Sequence, residues 1–242
     1  QNRDEYRFQF HKGLLLFSDA DHAGDAIAVD GVLINVDAAF HGPAVIIFTV
    51  PFQIGPAQSP HAPSARIEEL HRNKGQLRGI RTGYQDLDNM TAGLQRSDLI
   101  ILAARPAMGK TTLVTNLAYN VATIAKLPVL FFSLEMSKEQ LIDRMLADAS
   151  GVDSWNIRTG NLSDDDFGKI SEAMGEMAEA PIFIDDTPGL SVLEMRTKAR
   201  RAAHDQPLGL IVVDYLQLMQ ATNNHNGNRV QEVSEISRGL KL

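Results

Sequence analysis

The sequence contains no cysteine. That excludes a disulfide framework and a thiolate-held zinc or iron–sulfur centre. It also lacks any run approaching the roughly 18 consecutive apolar residues of a membrane-spanning helix, so no membrane association is expected. Its apolar runs, such as residues 99–104 (LIILAA), have the length of buried strands. A positive excess is missing too: 23 Lys and Arg stand against 30 Asp and Glu, a formal charge of −7. Composition alone therefore gives no polyanion-binding signature. Aromatic residues make up 6%, with one tryptophan, and Trp155 and the phenylalanines read as core rather than as base-stacking platforms. The first residue is Gln1 and no leader segment is visible, so the chain reads as a piece of something longer.

Composition divides the chain near residue 65. Residues 1–65 hold five of the ten prolines and carry three Lys and Arg against seven Asp and Glu, whereas residues 66–242 are nearly neutral. The second half of the stretch GPAVIIFTVPFQIGPAQSPHAP (42–63) has the composition of a linker. The expected organisation is an N-terminal segment and linker over 1–65, a linker helix and connection over 66–81, and a main domain over 82–242. Residues 65–74 (ARIEELHRNK) have helical spacing, with Ile67 and Leu70 on one face and Gly75 as a stop.

From Leu99 onward, strands alternate with helices. Apolar strands are expected at 99–104, 127–133, 181–185 and 208–214, and helices at 110–125, 137–149, 163–178, 191–204 and from 228. Ser137 with Gln140, and Ser191 with Glu194, stand at capping-box spacing, and Ser163 precedes three aspartates that suit a helix N-terminus. Such alternation specifies an α/β domain with a mostly parallel sheet covered on both faces.

The most informative stretch is LIILAARPAMGKTT (99–112): a buried strand, a tight turn, then Gly109-Lys110-Thr111 opening a helix. This is phosphate-loop geometry. Arg105, Pro106, Ala107, Met108, Gly109, Lys110, Thr111 and Thr112 are the candidate wrap around a nucleotide's phosphates, with a backbone N–H available from each except Pro106. Lys110 is expected to reach the β- and γ-phosphates of ATP, and the Thr111 hydroxyl to bind Mg2+. Ala104 replaces the usual first glycine of the loop. The strand LIVVD (210–214) ends in Asp214, which would face the same sheet edge and hold the magnesium ion through its water shell. Glu135, just past another strand end, could activate the attacking water or could simply favour a helix dipole; the residues alone leave both readings open. Asp185-Asp186 read as part of a turn with Thr187-Pro188-Gly189.

Residues 66–242 resemble the motor domain of DnaB-type replicative DNA helicases, which are RecA-like P-loop ATPases. The resemblance is carried by RTGYQDLDNMTAGLQRSDLIILAARPAMGKT, FFSLEMSKEQLIDRML, RTGNLSDDDF, APIFIDDTPGLSV and GLIVVDYLQLM followed by NRVQEVSEISRGLK. It implies Lys110 and Glu135 as catalytic residues, Thr111 and Asp214 at the metal, ATP and Mg2+ as cofactors, and a homo-hexameric ring on single-stranded DNA, with primase and a helicase loader as partners in a bacterial or phage-type cytoplasm. It also implies that helix 66–74 docks on the neighbouring subunit, and that loop 223–228 faces the central channel. The family continues beyond Leu242 with a γ-phosphate-sensing strand and an arginine finger, so the isolated chain is expected to bind ATP weakly and turn it over little. A strand-exchange or regulatory ATPase, or a nucleotide-binding module without turnover, are the rival readings. Residues 14–28 (LLLFSDADHAGDAIA), with Asp19, Asp21 and Gly24, are weakly similar to the acidic segment of Toprim domains; the favoured reading is a strand and turn with solvated acids, or a foreign sequence joined to the helicase part.

Overall fold

The computed structural model describes residues 7–11, 14–18, 27–29, 32–34, 44–49, 77–96, 98–103, 108–221 and 229–241. The Asp19/Asp21 pair, the Pro-rich linker, helix 65–74, loop residues 104–107 and loop 223–228 lie outside them. Five strands come first: β1 (Arg7–His11), β2 (Leu14–Ser18), β3 (Ile27–Val29), β4 (Val32–Ile34) and β5 (Ala44–Thr49). Then follow α1 (Gln85–Thr91), β6 (Leu99–Ala103), α2 (Lys110–Thr123), β7 (Val129–Ser133), α3 (Lys138–Ser150), α4 (Ser154–Thr159) and α5 (Asp164–Glu179). The chain closes with β8 (Ile182–Asp185), α6 (Val192–Asp205), β9 (Leu210–Asp214), a 3-10 turn (Leu216–Leu218) and α7 (Arg229–Lys241).

Seven strands form one sheet in the order β1-β2-β6-β5-β9-β7-β8, while β3 and β4 pair as a separate ribbon. β7 runs parallel to both β8 and β9, in register Ser133↔Asp214 with the latter. β5 lies between β6 and β9 and is antiparallel to both, with Ile46 opposite Ile101 on one side and Val213 on the other. β6 and β9 are therefore parallel to each other, and β6, β7, β8 and β9 all end at one edge of the sheet. β5 occupies the first half of the stretch 42–63, whose second half has the composition of a linker. It contributes to the main sheet along with β1 and β2.

β6, β7 and β9 are buried on both faces because they are apolar at successive positions. Ile100 and Leu102 of β6, Phe131 of β7 and Val212 of β9 pack on one face beneath α2, whose Val114, Leu117, Ala118 and Val121 line the contact. Ile101, Leu130, Phe132 and Val213 point the other way, toward Met195 of α6 and Ile236 of α7. Each such side chain contributes about 1.5–3 kcal/mol when fully withdrawn from water.

The helices begin where the sequence places their caps. Ser137, Ser163 and Ser191 each accept from the backbone N–H of the third helical residue, and that residue's side chain returns the bond. At Ser163 the returning group is Asp166, and its carboxyl is held below the usual range by the Ser163 backbone N–H and then by the Ser163 hydroxyl. Two short helices, α1 and α4, were not anticipated. The second is marked in sequence by Asp153, whose carboxylate accepts from the Trp155 N–H at 2.7 Å, and by Gly160 at its end. Before α1, the buried Thr82 donates its N–H and hydroxyl to Asp88 at 2.9 and 2.8 Å. Gly83 follows at φ +84, where a Cβ would lie 2.3 Å from the Asn120 side chain, so only glycine lets this turn close on α2.

One expectation fails. Trp155 is 61% exposed, with the Arg158 guanidinium stacked 5.0 Å from its ring centre, and Phe167 is also exposed. α4 is too short to bring Trp155 beneath the layer above the sheet. Among the described residues the buried aromatics are Phe131 and Phe132 of central β7. Phe131→Ala should therefore lower unfolding stability by about 3–5 kcal/mol in a urea titration. Phe183→Ala, on edge strand β8 at a side chain 43% exposed, should cost under about 2 kcal/mol. Equal losses at the two positions would contradict this packing.

Candidate functional site

The site forms where β6, β7 and β9 end. Gly109 precedes α2 in the left-handed region, φ 76 and ψ 17, and nothing lies within 4 Å of where its Cβ would be. An L side chain is strained in that conformation, and the space stays open above the helix start. Helices α3 to α6 have a side-chain cap, but none bonds to the start of α2. The first intrahelical bond at this end runs from the Leu113 N–H to the Gly109 carbonyl. The N–H groups of Lys110, Thr111 and Thr112 thus have no acceptor within the helix itself, at the positive end of its dipole, where an anion is favoured. Met108 is half-buried and Thr112 exposed beside them. Arg105, Pro106 and Ala107 are in the stretch outside the described residues.

Lys110 and Asp214 meet across this edge. Lys110 is 7% exposed and Asp214 0%, with Nζ 3.6 Å from Oδ1. The Thr111 hydroxyl donates to Oδ2 of the same carboxylate at 2.8 Å. Burial pushes the Asp214 carboxyl above its ordinary range, against the Lys110 charge and the Thr111 bond. Burial likewise holds the Lys110 ammonium below the lysine range, against the pull of Asp214 and then of Glu135. Both shifts have the same first cause, because each group has lost water and the ion pair at 3.6 Å only partly replaces it. Among the described residues Asp214 Oδ1 has no hydrogen-bond partner.

That orphaned oxygen, beside a threonine hydroxyl, fits a magnesium ion. Among the described residues no cluster of three or more His, Asp or Glu could hold a metal unaided. The donor set suits an ion that keeps its waters and takes phosphate oxygens from a nucleotide. Glu135 is exposed in the bend between β7 and α3, and its charge acts on both Lys110 and Tyr215. The backbone anchors this bend to β9, since the Leu134 N–H donates to the Asp214 carbonyl at 2.7 Å and the Ser133 hydroxyl to the Met136 carbonyl at 2.6 Å.

The sequence reading missed Tyr215. Its ring lies under Lys110, with Nζ 4.7 Å from the centroid. The only signal was an aromatic residue directly after the strand-end acid. Asp185 and Asp186 keep to the turn expected of them. Asp185 accepts from the Thr187 N–H at 3.1 Å and pairs with Lys198 at 2.6 Å, and Asp186 accepts from the Lys138 N–H at 3.1 Å.

Comparison with known proteins sets this geometry in context. The family described as the DnaB-like helicase C-terminal domain matches residues 79–242. The replicative DNA helicase DnaC of Bacillus subtilis is 53% identical over 175 residues, 72% of this chain and 38% of that protein. The replicative DNA helicase DnaB of Geobacillus stearothermophilus is 52% identical over the same length, again 38% of that protein. The chain thus spans less than half the length of these relatives. Among solved structures, a DnaB-like replicative helicase described with its interactions with primase superposes with TM-score 0.67 at 31% identity, over 76% of this chain and 46% of that one.

Removing the Thr111 hydroxyl should be felt even without nucleotide. Thr111→Val leaves Asp214 Oδ2 buried without its donor, so the nucleotide-free protein should lose about 1–3 kcal/mol in a urea titration. A loss under about 0.5 kcal/mol would mean that the bond does not hold the carboxylate.

Proposed function

Because the chain belongs to the DnaB-like helicase C-terminal domain family, we propose that it is the ATP-hydrolysing motor of a replicative DNA helicase, driving movement along single-stranded DNA and unwinding of the duplex. The observation that carries this reading is the convergence of Lys110, Thr111 and Asp214 at an uncapped helix start, 2.8–3.6 Å apart. We further propose that the motor works in a homo-hexameric ring, with a primase and a helicase loader among its partners, in a bacterial or phage-type cytoplasm. Among the described residues no helix is long and apolar enough to cross a membrane.

The reading assigns each residue one task. The N–H groups from Gly109 to Thr112 bind the triphosphate, and Lys110 places its charge against the β- and γ-phosphates, where negative charge builds during transfer. Thr111 and Asp214 hold Mg2+, which when bound neutralises phosphate charge. Glu135 orients the water and takes its proton. Positioning and charge do most of this work, since phosphoryl transfer leaves little covalent chemistry to the protein. Grip on DNA through its phosphates would be sequence-tolerant and salt-sensitive.

Two substitutions test the reading in the protein that carries this chain. Lys110→Ala should abolish both tight MgATP binding and hydrolysis. Glu135→Gln should bind MgATP within about threefold of wild type and hydrolyse it about 10²- to 10⁴-fold more slowly. Wild-type turnover in Lys110→Ala would overturn the nucleotide site, and turnover within threefold of wild type in Glu135→Gln would reduce Glu135 to a helix-start acid.

A further inference from the structure

In the nucleotide-free site, the charge meant for a phosphate must be kept somewhere. Lys110 is nearly buried, so its surroundings must replace the water its ammonium has lost. Asp214 Oδ1 lies 3.6 Å from Nζ, at ion-pair distance. Nζ also lies over the Tyr215 ring, 4.7 Å from its centroid. That is well inside the range over which a ring face attracts a cation. Tyr215 follows Asp214 directly, so the strand that supplies the carboxylate also fixes the ring.

We infer that Tyr215 is a positioning residue for Lys110: with Asp214 it holds the ammonium at the sheet edge of the nucleotide-free protein, aimed before a phosphate arrives. This rests on the nucleotide-site reading given above. A flexible four-carbon stem otherwise loses rotamer freedom when it engages the ligand. Holding it in advance moves that loss from binding to folding. The ring face carries the contact, so phenylalanine should serve as well as tyrosine, and a side chain of similar size without a π-face should not.

The test has two parts. In the first, MgATP affinity is measured by calorimetry in the protein that carries this chain, for wild type, Lys110→Ala, Tyr215→Phe and Tyr215→Met. Tyr215→Phe should bind within about twofold of wild type, and Tyr215→Met should bind about two- to thirtyfold more weakly. In the second, unfolding without nucleotide is followed for Lys110→Met, Tyr215→Met and the double variant. The two changes should be non-additive by about two- to thirtyfold in the folding equilibrium constant. A residue with no contact to Lys110 would give additive effects, and one that only packs against its stem would not distinguish phenylalanine from methionine. Additivity within twofold, or a phenylalanine variant as impaired as the methionine variant, overturns the inference. If Tyr215→Met does not fold, Tyr215→Leu takes its place in both parts. Failure of the wild-type protein to bind MgATP, or equal binding by Lys110→Ala, overturns the nucleotide-site reading instead, and the unfolding cycle still judges the Lys110–Tyr215 contact.

Discussion

A buried ammonium and a buried carboxylate, 3.6 Å apart at the end of a sheet, set the terms for everything around them. Neither group is stable there alone. Removing one partner of a buried pair leaves an uncompensated charge, a penalty of about 3–5 kcal/mol. The pair therefore demands that α2 and β9 be held in fixed relation, although Lys110 and Asp214 lie far apart in sequence. Packing supplies that relation. Val114, Leu117, Ala118 and Val121 fix α2 against the sheet, and Leu210 and Val212 fix β9 beneath it. The apolar core is what makes the polar site possible. The site's incomplete pairing, with one carboxylate oxygen left without a donor, is what leaves it able to accept a ligand.

The same edge shows how one topology serves several side chains. Strand-parallel alignment brings the ends of β6, β7 and β9 together, so a loop lysine, an acid past β7 and an acid at the end of β9 share one electrostatic environment. The backbone bond from Leu134 to Asp214 couples the Glu135 bend to the Asp214 strand. A shift of either would be transmitted to the other through a short rigid link rather than through a flexible loop.

Much of this was legible in the sequence, for definite reasons. The helix starts at Ser137, Ser163 and Ser191 were readable because a serine with an acid or amide three residues on satisfies two donors locally, whatever the surrounding fold. The Gly109–Thr111 turn and the acid closing β9 were readable because strand, turn and helix follow one another directly. What was hidden depends on partners distant in sequence. Nothing within residues 44–49 announces that they pair with both β6 and β9. The Tyr215 ring is unremarkable until Lys110 is folded over it. Trp155 was misjudged because hydrophobic character predicts burial only when the element carrying it reaches the core, and α4 does not.

The position of β5 has a consequence for how the chain reaches its folded form. Ile46 pairs with Val213, a separation of 213 − 46 = 167 residues. Its other neighbour, Ile101, is only 55 residues away, from 101 − 46. On a ribosome β5 and β6 are both made well before β9, so a hairpin-like pair with one open edge must wait until β9, more than 100 residues further on, has emerged. Loop closure over such a span is slow, and an open apolar edge can meet another nascent chain in the interval. The pairing of β5 with β9 is thus made late, and Lys110, on the helix after β6, meets Asp214, at the end of β9, only when it is made.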